Sequence, residues 1–409
     1  MNTPEPINLL VPEGFQRKLS RRGFLQLGGA ASGMSLALVA CGSDKKNPSA
    51  SAPVVSAGPA ADGSYSEVIN KASGTLAMYT WGEYNDPEVT GALAESSLGI
   101  TMKLDSYTSN EELIAKLEAS KGTSGYDIVV PTGVYIPQMV QKGLLSKLDM
   151  SKLPNFANID KAFQANAWDK GNEYSVCKDW GTTGYLWDSS KVKTPIVTWA
   201  DFIKVCQNEA KGAASVLDVG ADYCGIYFWA NGIDWNTTDS KAYDDCEKFM
   251  VEFAKNLMVF ESYPSNIAPE GALIAGQVWN GDARTTYGKV ESAGGDPSVW
   301  KWAIGAPETE LWMDTYTIPV GAPNPEAAHA WINWIMTPEV ALKDMAFHGY
   351  NPGLRDVGGL IKKLMPDLER GEMIFFADDA IATMKTQVVN EMQNRQVDIL
   401  NKAKAAAGA

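Results

Sequence analysis

The residues best suited to chemistry in this chain are acids and aromatics that stand together where apolar runs stop. Trp81-Gly82-Glu83-Tyr84 follows one such run, and Thr132 and Val134 follow the run 126–131. Asp218 and Asp222 follow Val216-Leu217, Trp279 and Asp282 follow Gln277-Val278, and Trp312 and Asp314 follow an expected turn at Glu310-Leu311. No Lys or Arg stands among them, and Arg284 is the nearest basic residue. A tryptophan face attracts an ammonium group by roughly 0.5–2 kcal/mol and also packs against methylenes. A carboxylate grips the same group through charge-assisted hydrogen bonds, about twice as strong as neutral ones. Aromatic walls with acidic poles therefore suit a flexible aliphatic chain with an amine at each end. Taken singly, each residue has a plainer role, a Trp in the core or an Asp as a helix cap. The inference rests on their convergence.

Catalytic readings find less support. Two histidines, His329 and His348, leave few ways to build a Ser-His-Asp or Cys-His site, and G-x-S-x-G, Walker and H-E-x-x-H motifs are missing. Two carboxylates among Glu83, Asp222, Asp282 and Asp314 could hydrolyse a glycoside, which is the enzymatic alternative. No C-x-x-C pair is present for zinc, so no metal and no cofactor is expected. The 35 basic and 49 acidic residues leave a net charge of −14, which argues against a nucleic-acid partner. Such charge serves solvated surface and attracts cationic ligands.

The first 41 residues read as an address. Ser20-Arg21-Arg22-Gly23-Phe24-Leu25-Gln26 resembles the twin-arginine export signal, and Leu38-Val39-Ala40-Cys41 resembles the lipobox of bacterial lipoproteins. Acyl chains on Cys41 would hold the protein to a membrane without spanning it. Residues 42–73 read as a flexible tether, with a typical reach of about 30 Å. No later run of about 18 apolar residues appears, so the remainder is expected to be soluble and outside the cytoplasm. There Cys177, Cys206, Cys224 and Cys246 could form up to two disulfides in any of three pairings.

The elements that must position the site alternate. Residues 76–80, 100–105 and 126–131 read as strands. Helices are expected over 87–97 and after Ser109-Asn110-Glu111-Glu112, which has capping-box spacing. This β-α-β-α-β order signals a parallel sheet covered by helices. Farther on, Thr198-Trp199-Ala200-Asp201 caps a helix to 208. Strands are expected at 214–217, 276–279, 300–304 and 315–319. Helices are expected at 223–231, 242–255, 325–336, 338–348 and, unbroken, 378–405. At 409 residues, two lobes are the natural division. In open α/β sheets ligands sit beyond the carboxyl ends of the strands, where these acids and aromatics lie.

At these residues the chain resembles the spermidine/putrescine-binding family of extracellular solute-binding proteins, which feed ABC transporters. The likeness spans 74–404. It is carried by Tyr79-Thr80-Trp81-Gly82-Glu83-Tyr84, Tyr126-Asp127-Ile128-Val129-Val130-Pro131 and Thr198-Trp199-Ala200-Asp201, then by Trp279-Asn280-Gly281, Trp312-Met313-Asp314 and Gly349-Tyr350-Asn351-Pro352. The resemblance implies a two-lobed α/β clamp, each lobe a mostly parallel sheet flanked by helices. One lobe would be 74–182 with 313–358, the other 183–312 with 359–405. It also implies a monomer without catalysis that presents a polyamine, putrescine first and spermidine second, to a permease. Another organic cation or amino compound is the alternative. Trp81, Glu83, Tyr84 and Thr132 would face Asp222 across the cleft, with Trp279, Asp282, Trp312, Asp314, Tyr350 and Gln387 completing the site. Three positions depart from the family: Val134 replaces an aromatic, Val219 replaces an acid of the spermidine-preferring branch, and Asp222 stands for a Glu.

Overall fold

The computed structural model describes residues 64–408, so the export and lipobox motifs and Cys41 lie outside the described residues. Strand β1 (Gly74–Trp81) is the centre of a parallel three-stranded sheet, between β2 (Ile100–Tyr107) and β3 (Ile128–Val129). Trp81 is in register with Tyr107, so these strands finish at one edge. The helix expected over 87–97 is present over 87–98, with a π-segment at Val89–Leu93 leading into α1 (Ala94–Leu98); a kink falls at Gly91, whose backbone is non-helical. Glycine is a poor helix former and permits the kink. Helix α2 (Asn110–Ser120) opens as the capping spacing predicts: the Ser109 side chain accepts from the Glu112 N–H, while Leu113, Ile114 and Leu117 are buried. Helix α3 (Ile136–Gln141) and β4 (Leu145–Ser146) follow.

The chain then enters β5 (Val176–Asp188), a 13-residue strand absent from the sequence expectation. It shows no two-residue alternation because it is covered on both faces and buries Lys178, Asp179, Thr182 and Thr183. The Thr198/Asp201 capping box opens α4 (Trp199–Gln207), and β6 (Ala214–Val216) leads to α5 (Gly220–Ala230), which starts three residues before position 223. Next come α6 (Ser240–Ala254), β7 (Val259–Phe260), β8 (Ala275–Trp279), α7 (Asn280–Ser292) and β9 (Trp300–Ile304). Strand β10 (Thr309–Tyr316) and β11 (Ile318–Pro319) replace the strand expected at 315–319, and Glu310-Leu311 is strand interior rather than a turn. Helices α8 (Pro325–Ile335) and α9 (Pro338–His348) carry Pro in their first turns, where no N–H is needed. After α10 (Val357–Leu364), the helix expected from 378 is divided into α11 (Asp378–Ile381), β12 (Met384–Lys385) and α12 (Gln393–Ala407).

The larger sheet is mixed, in the order β12-β10-β5-β8-β6-β7, with β9 also beside β5. Strand β5 runs antiparallel to β8, β9 and β10. One apolar core gathers around β1–β3, α8 and α9 and includes Cys177, Trp180 and Trp312. A second gathers around α4–α6 and includes Tyr185, Trp199, Trp229 and Trp235. Strand β5 thus contributes to both. The end of β10 reaches the first sheet through the Thr132/Asp314 and Val129/Thr317 bridges.

The four described cysteines are buried free thiols, so neither expected disulfide is formed. Burial holds the Cys177, Cys206 and Cys224 thiols above their usual range, which suppresses the thiolate needed for exchange. Among the described residues no helix is long and apolar enough to cross a membrane.

Gly184 shows how closely β5 is packed, since a Cβ there would lie 2.2 Å from the Ala303 carbonyl oxygen. Gly184→Ala should therefore destabilise the fold by about 1–3 kcal/mol, measured by urea unfolding. A wild-type midpoint would show that β9 is free to move away.

Candidate ligand-binding cleft

A cleft of about 940 Å³ opens where the strand ends of the two cores face each other. Trp81, Glu83, Tyr84, Thr132, Asp222, Trp279, Asp282, Trp312, Asp314, Tyr350 and Gln387 all line it. The aromatic walls are mutually braced. Trp81 donates from Nε1 to the Val130 carbonyl at 3.2 Å and meets Trp279 edge-on at 6.0 Å. Trp312 meets Tyr350 edge-on at 4.8 Å, and Tyr350 meets Tyr84 at 5.6 Å.

Small residues make this packing possible. A Cβ at Gly181 would lie 2.5 Å from the Trp312 ring, so only glycine lets that indole lie across β5. In Trp279-Asn280-Gly281, Asn280 accepts from the Thr182 N–H at 2.9 Å and donates to the Met373 carbonyl at 2.8 Å. A Cβ at Gly281 would lie 2.4 Å from Tyr350, so this glycine seats Tyr350 on the first turn of α7.

The acids fall into distinct settings. Asp314 lies 2.9 Å from the Tyr84 hydroxyl, which also bonds to Asp179. That hydroxyl has one hydrogen, so bonding to both carboxyls requires a proton on one of them. Burial, then the Asp179 charge, pushes Asp314 up to about 7. Asp179 instead pairs with Lys178 at 2.7 Å, and the Lys178 ammonium lies 3.7 Å from the centre of the Tyr84 ring. Asp282 accepts from the Ser265 N–H at 3.0 Å and from its hydroxyl, and burial raises it to about 7. Asp222, in the first turn of α5, accepts from Thr183 Oγ1 at 3.1 Å and is raised by burial to about 6.

Other candidates turn elsewhere. Glu83 sits at the rim with its side chain 49% exposed, tied to Lys289 at 2.7 Å. Lys289 therefore lines the cleft, contrary to the expectation of no basic neighbour. Asp218 pairs with Lys404 of α12 at 2.8 Å and does not line the cleft. Arg284 is buried away from it, donating to the carbonyls of Ala346 and Glu369. Val134 does not line the cleft, but the next residue, Tyr135, does, as does Tyr263, whose hydroxyl accepts from the Gly82 N–H at 3.0 Å. Tyr135 was legible as an aromatic one position late; Tyr263, in a loop without periodicity, gave no signal. Glu310, also in the cleft, was hidden by the turn expected there. Among the described residues no group of three His, Cys, Asp or Glu could hold a metal ion.

Comparison with known proteins gives a consistent picture. Residues 89–362 match the family described as bacterial extracellular solute-binding protein. The chain is 34% identical to the spermidine/putrescine-binding periplasmic protein of Escherichia coli (strain K12) over 284 residues, 68% of this chain and 76% of that one. It is 30% identical to the putrescine-binding periplasmic protein SpuD of Pseudomonas aeruginosa over 278 residues, 65% of this chain and 74% of that one. The solved TpPotD lipoprotein of Treponema pallidum superposes with a TM-score of 0.65 at 25% identity, covering 81% of this chain and 99% of that one.

The raised acids predict how the empty protein responds to pH. Asp222, Asp282 and Asp314 bind protons more tightly folded than unfolded. Their contribution to stability is complete below about pH 4 and is lost as the pH rises through about 6 for Asp222 and about 7 for Asp282 and Asp314. Asp314→Asn removes one such acid. In calorimetric melting without ligand, the variant should gain on the parent between pH 5 and 8 and melt higher at about pH 8. A constant difference across that range would show that Asp314 does not titrate there.

Proposed function

The chain belongs to the bacterial extracellular solute-binding proteins, in the spermidine/putrescine-binding family, and from that premise we propose that it captures a small polyamine, putrescine first and spermidine second, for the permease of an ABC importer. The family binds and does not catalyse, which sets the glycosidase alternative aside. One observation carries the ligand reading: Asp314, a buried acid, stands beside Trp312 and Tyr350 in a cleft whose lysine, Lys289, is held at the rim by Glu83. An ammonium at Asp314 gains a carboxylate, and its methylenes gain aromatic faces. Closure of the cleft would exclude water and strengthen that pairing.

The proposed lobes are 74–182 with 313–358 and 183–312 with 359–405, although Leu360, Met365 and Ile374 pack into the first core. Their hinge lies along β5, where it passes from one core to the other, which the division of that strand between the cores supports. The protein acts as a monomer, tethered through lipidated Cys41, in keeping with the lipoprotein character of its Treponema relative. The cleft volume favours a second ligand reading, a longer or bulkier organic cation or amino compound, since about 940 Å³ is near the upper end for small-molecule sites.

Isothermal titration against a panel of diamines, triamines, amino acids and sugars should single out a linear polyamine. Asp314→Asn should weaken it by about 100-fold or more, since an ammonium would be buried without its partner. Preferential binding of a sugar would overturn the cation reading. A loss below about twofold, far short of that for a broken buried pair, would remove Asp314 as a pole.

A further inference from the structure

Glu310 is the acid of the cleft that neither the strand-end pattern nor the family resemblance assigns. On β10, Glu310, Trp312 and Asp314 alternate with Leu311 and Met313 and share the face turned to the cleft. The run is acid, indole, acid, with its ends roughly 13 Å apart along the strand. An alkyl chain lying across Trp312 would meet a carboxyl at each end.

Glu310 and Asp222 converge. Each lies 3.1 Å from Thr183 Oγ1, within hydrogen-bond reach of that one hydroxyl. That hydroxyl has one hydrogen and a carboxylate only accepts, so bonding to both requires a proton on one of the two carboxyls. Both residues are buried, and neither forms an ion pair among the described residues. The groups around them add no positive charge: Trp279 and Thr183 are neutral, while Asp314 and Tyr135, backed by Glu111, face them from β10 and the 133–135 turn. Lys385, in register with Glu310 on β12, is exposed. Val219, where the resemblance implies an acid, lines the same cleft.

We propose that Glu310 and Asp222 form a second amine-binding pole that holds one shared proton in the empty cleft and releases it when the far ammonium of the ligand arrives. One carboxyl O–H bond breaks, its proton passes to a buffer base, and ammonium N–H···O bonds replace it; no bond within the ligand changes. Glu310 thereby supplies, from β10, the acid that Val219 lacks. This rests on the polyamine reading.

The test is titration of the full chain with putrescine and spermidine at about pH 7 in phosphate and in Tris, whose ionisation heats differ. Release of at least one proton per amine should make the observed heat depend on the buffer. Glu310→Gln should lower the release by about one proton and weaken spermidine about tenfold or more. Asp222→Asn removes the shared proton from the other side and should give the same loss, so the proposal remains testable if one variant does not fold. Amine binding with buffer-independent heat, or unchanged release in a folded variant, overturns this pole alone. Absence of any amine binding overturns the polyamine reading and this pole with it.

Discussion

The pairing of β5 with β10 is the constraint on which the cleft depends. The two strands lie antiparallel, with Trp312 opposite Gly181 and Asp314 opposite Asp179. That register lays an indole over a glycine, where it has room to form a flat wall. It also brings two acids together at one end of the wall and, through Thr183, two more at the other. Burying one carboxylate without a partner is costly, and burying two side by side is costlier. The fold meets the problem in the same way at both ends, by setting a hydroxyl, Tyr84 or Thr183, between carboxyls. Because β5 also contributes to both cores, the floor of the site rests on the strand that runs between them.

The charges behind the floor decide which acids remain available to a ligand. Lys178 occupies Asp179 and lies against the back of the Tyr84 ring, while His348 lies 3.5 Å from both Asp179 and Asp344. Asp179 is thereby satisfied from within the protein, and Asp314 is left as the acid that faces the cleft. At the mouth, Glu83 and Lys289 satisfy each other, a half-exposed pair of the kind that contributes little to stability. The inner acids have no cation of their own beyond the partial influence of Lys178 and Lys289, and burial keeps them poised near neutrality.

The pattern of strand, turn and capped helix was readable wherever one face of an element meets water or a cap is local. Helix α9 was legible to its ends because Pro338 opens it and Gly349 closes it in the left-handed conformation. The capping box of α4 was equally local. What escaped was β5, whose polar residues sit inside, and the acid on β10, whose Glu310-Leu311 looked like a turn. A strand buried on both faces loses the alternation by which a strand is recognised. When it also carries the polar groups of a site, its composition points away from the core it occupies.

Most of the acids and aromatics of the cleft are legible in the linear order. Acids and aromatics follow apolar runs, and the Trp-Asn-Gly and Trp-Met-Asp pieces carry the geometry of their own turns and faces. All eleven predicted lining residues reach the cleft, those at strand ends because such ends converge there by topology, and Tyr350 and Gln387 as the family resemblance implies. Which acids stand bare and which are already paired follows from the folded arrangement. Glu83 goes to Lys289, Asp218 to Lys404 and Asp179 to Lys178, while Glu310 meets Asp222 at Thr183. Those partners lie tens to hundreds of residues away in most cases, and Coulomb energy depends on distance in space and on the surrounding dielectric, neither of which a linear order specifies.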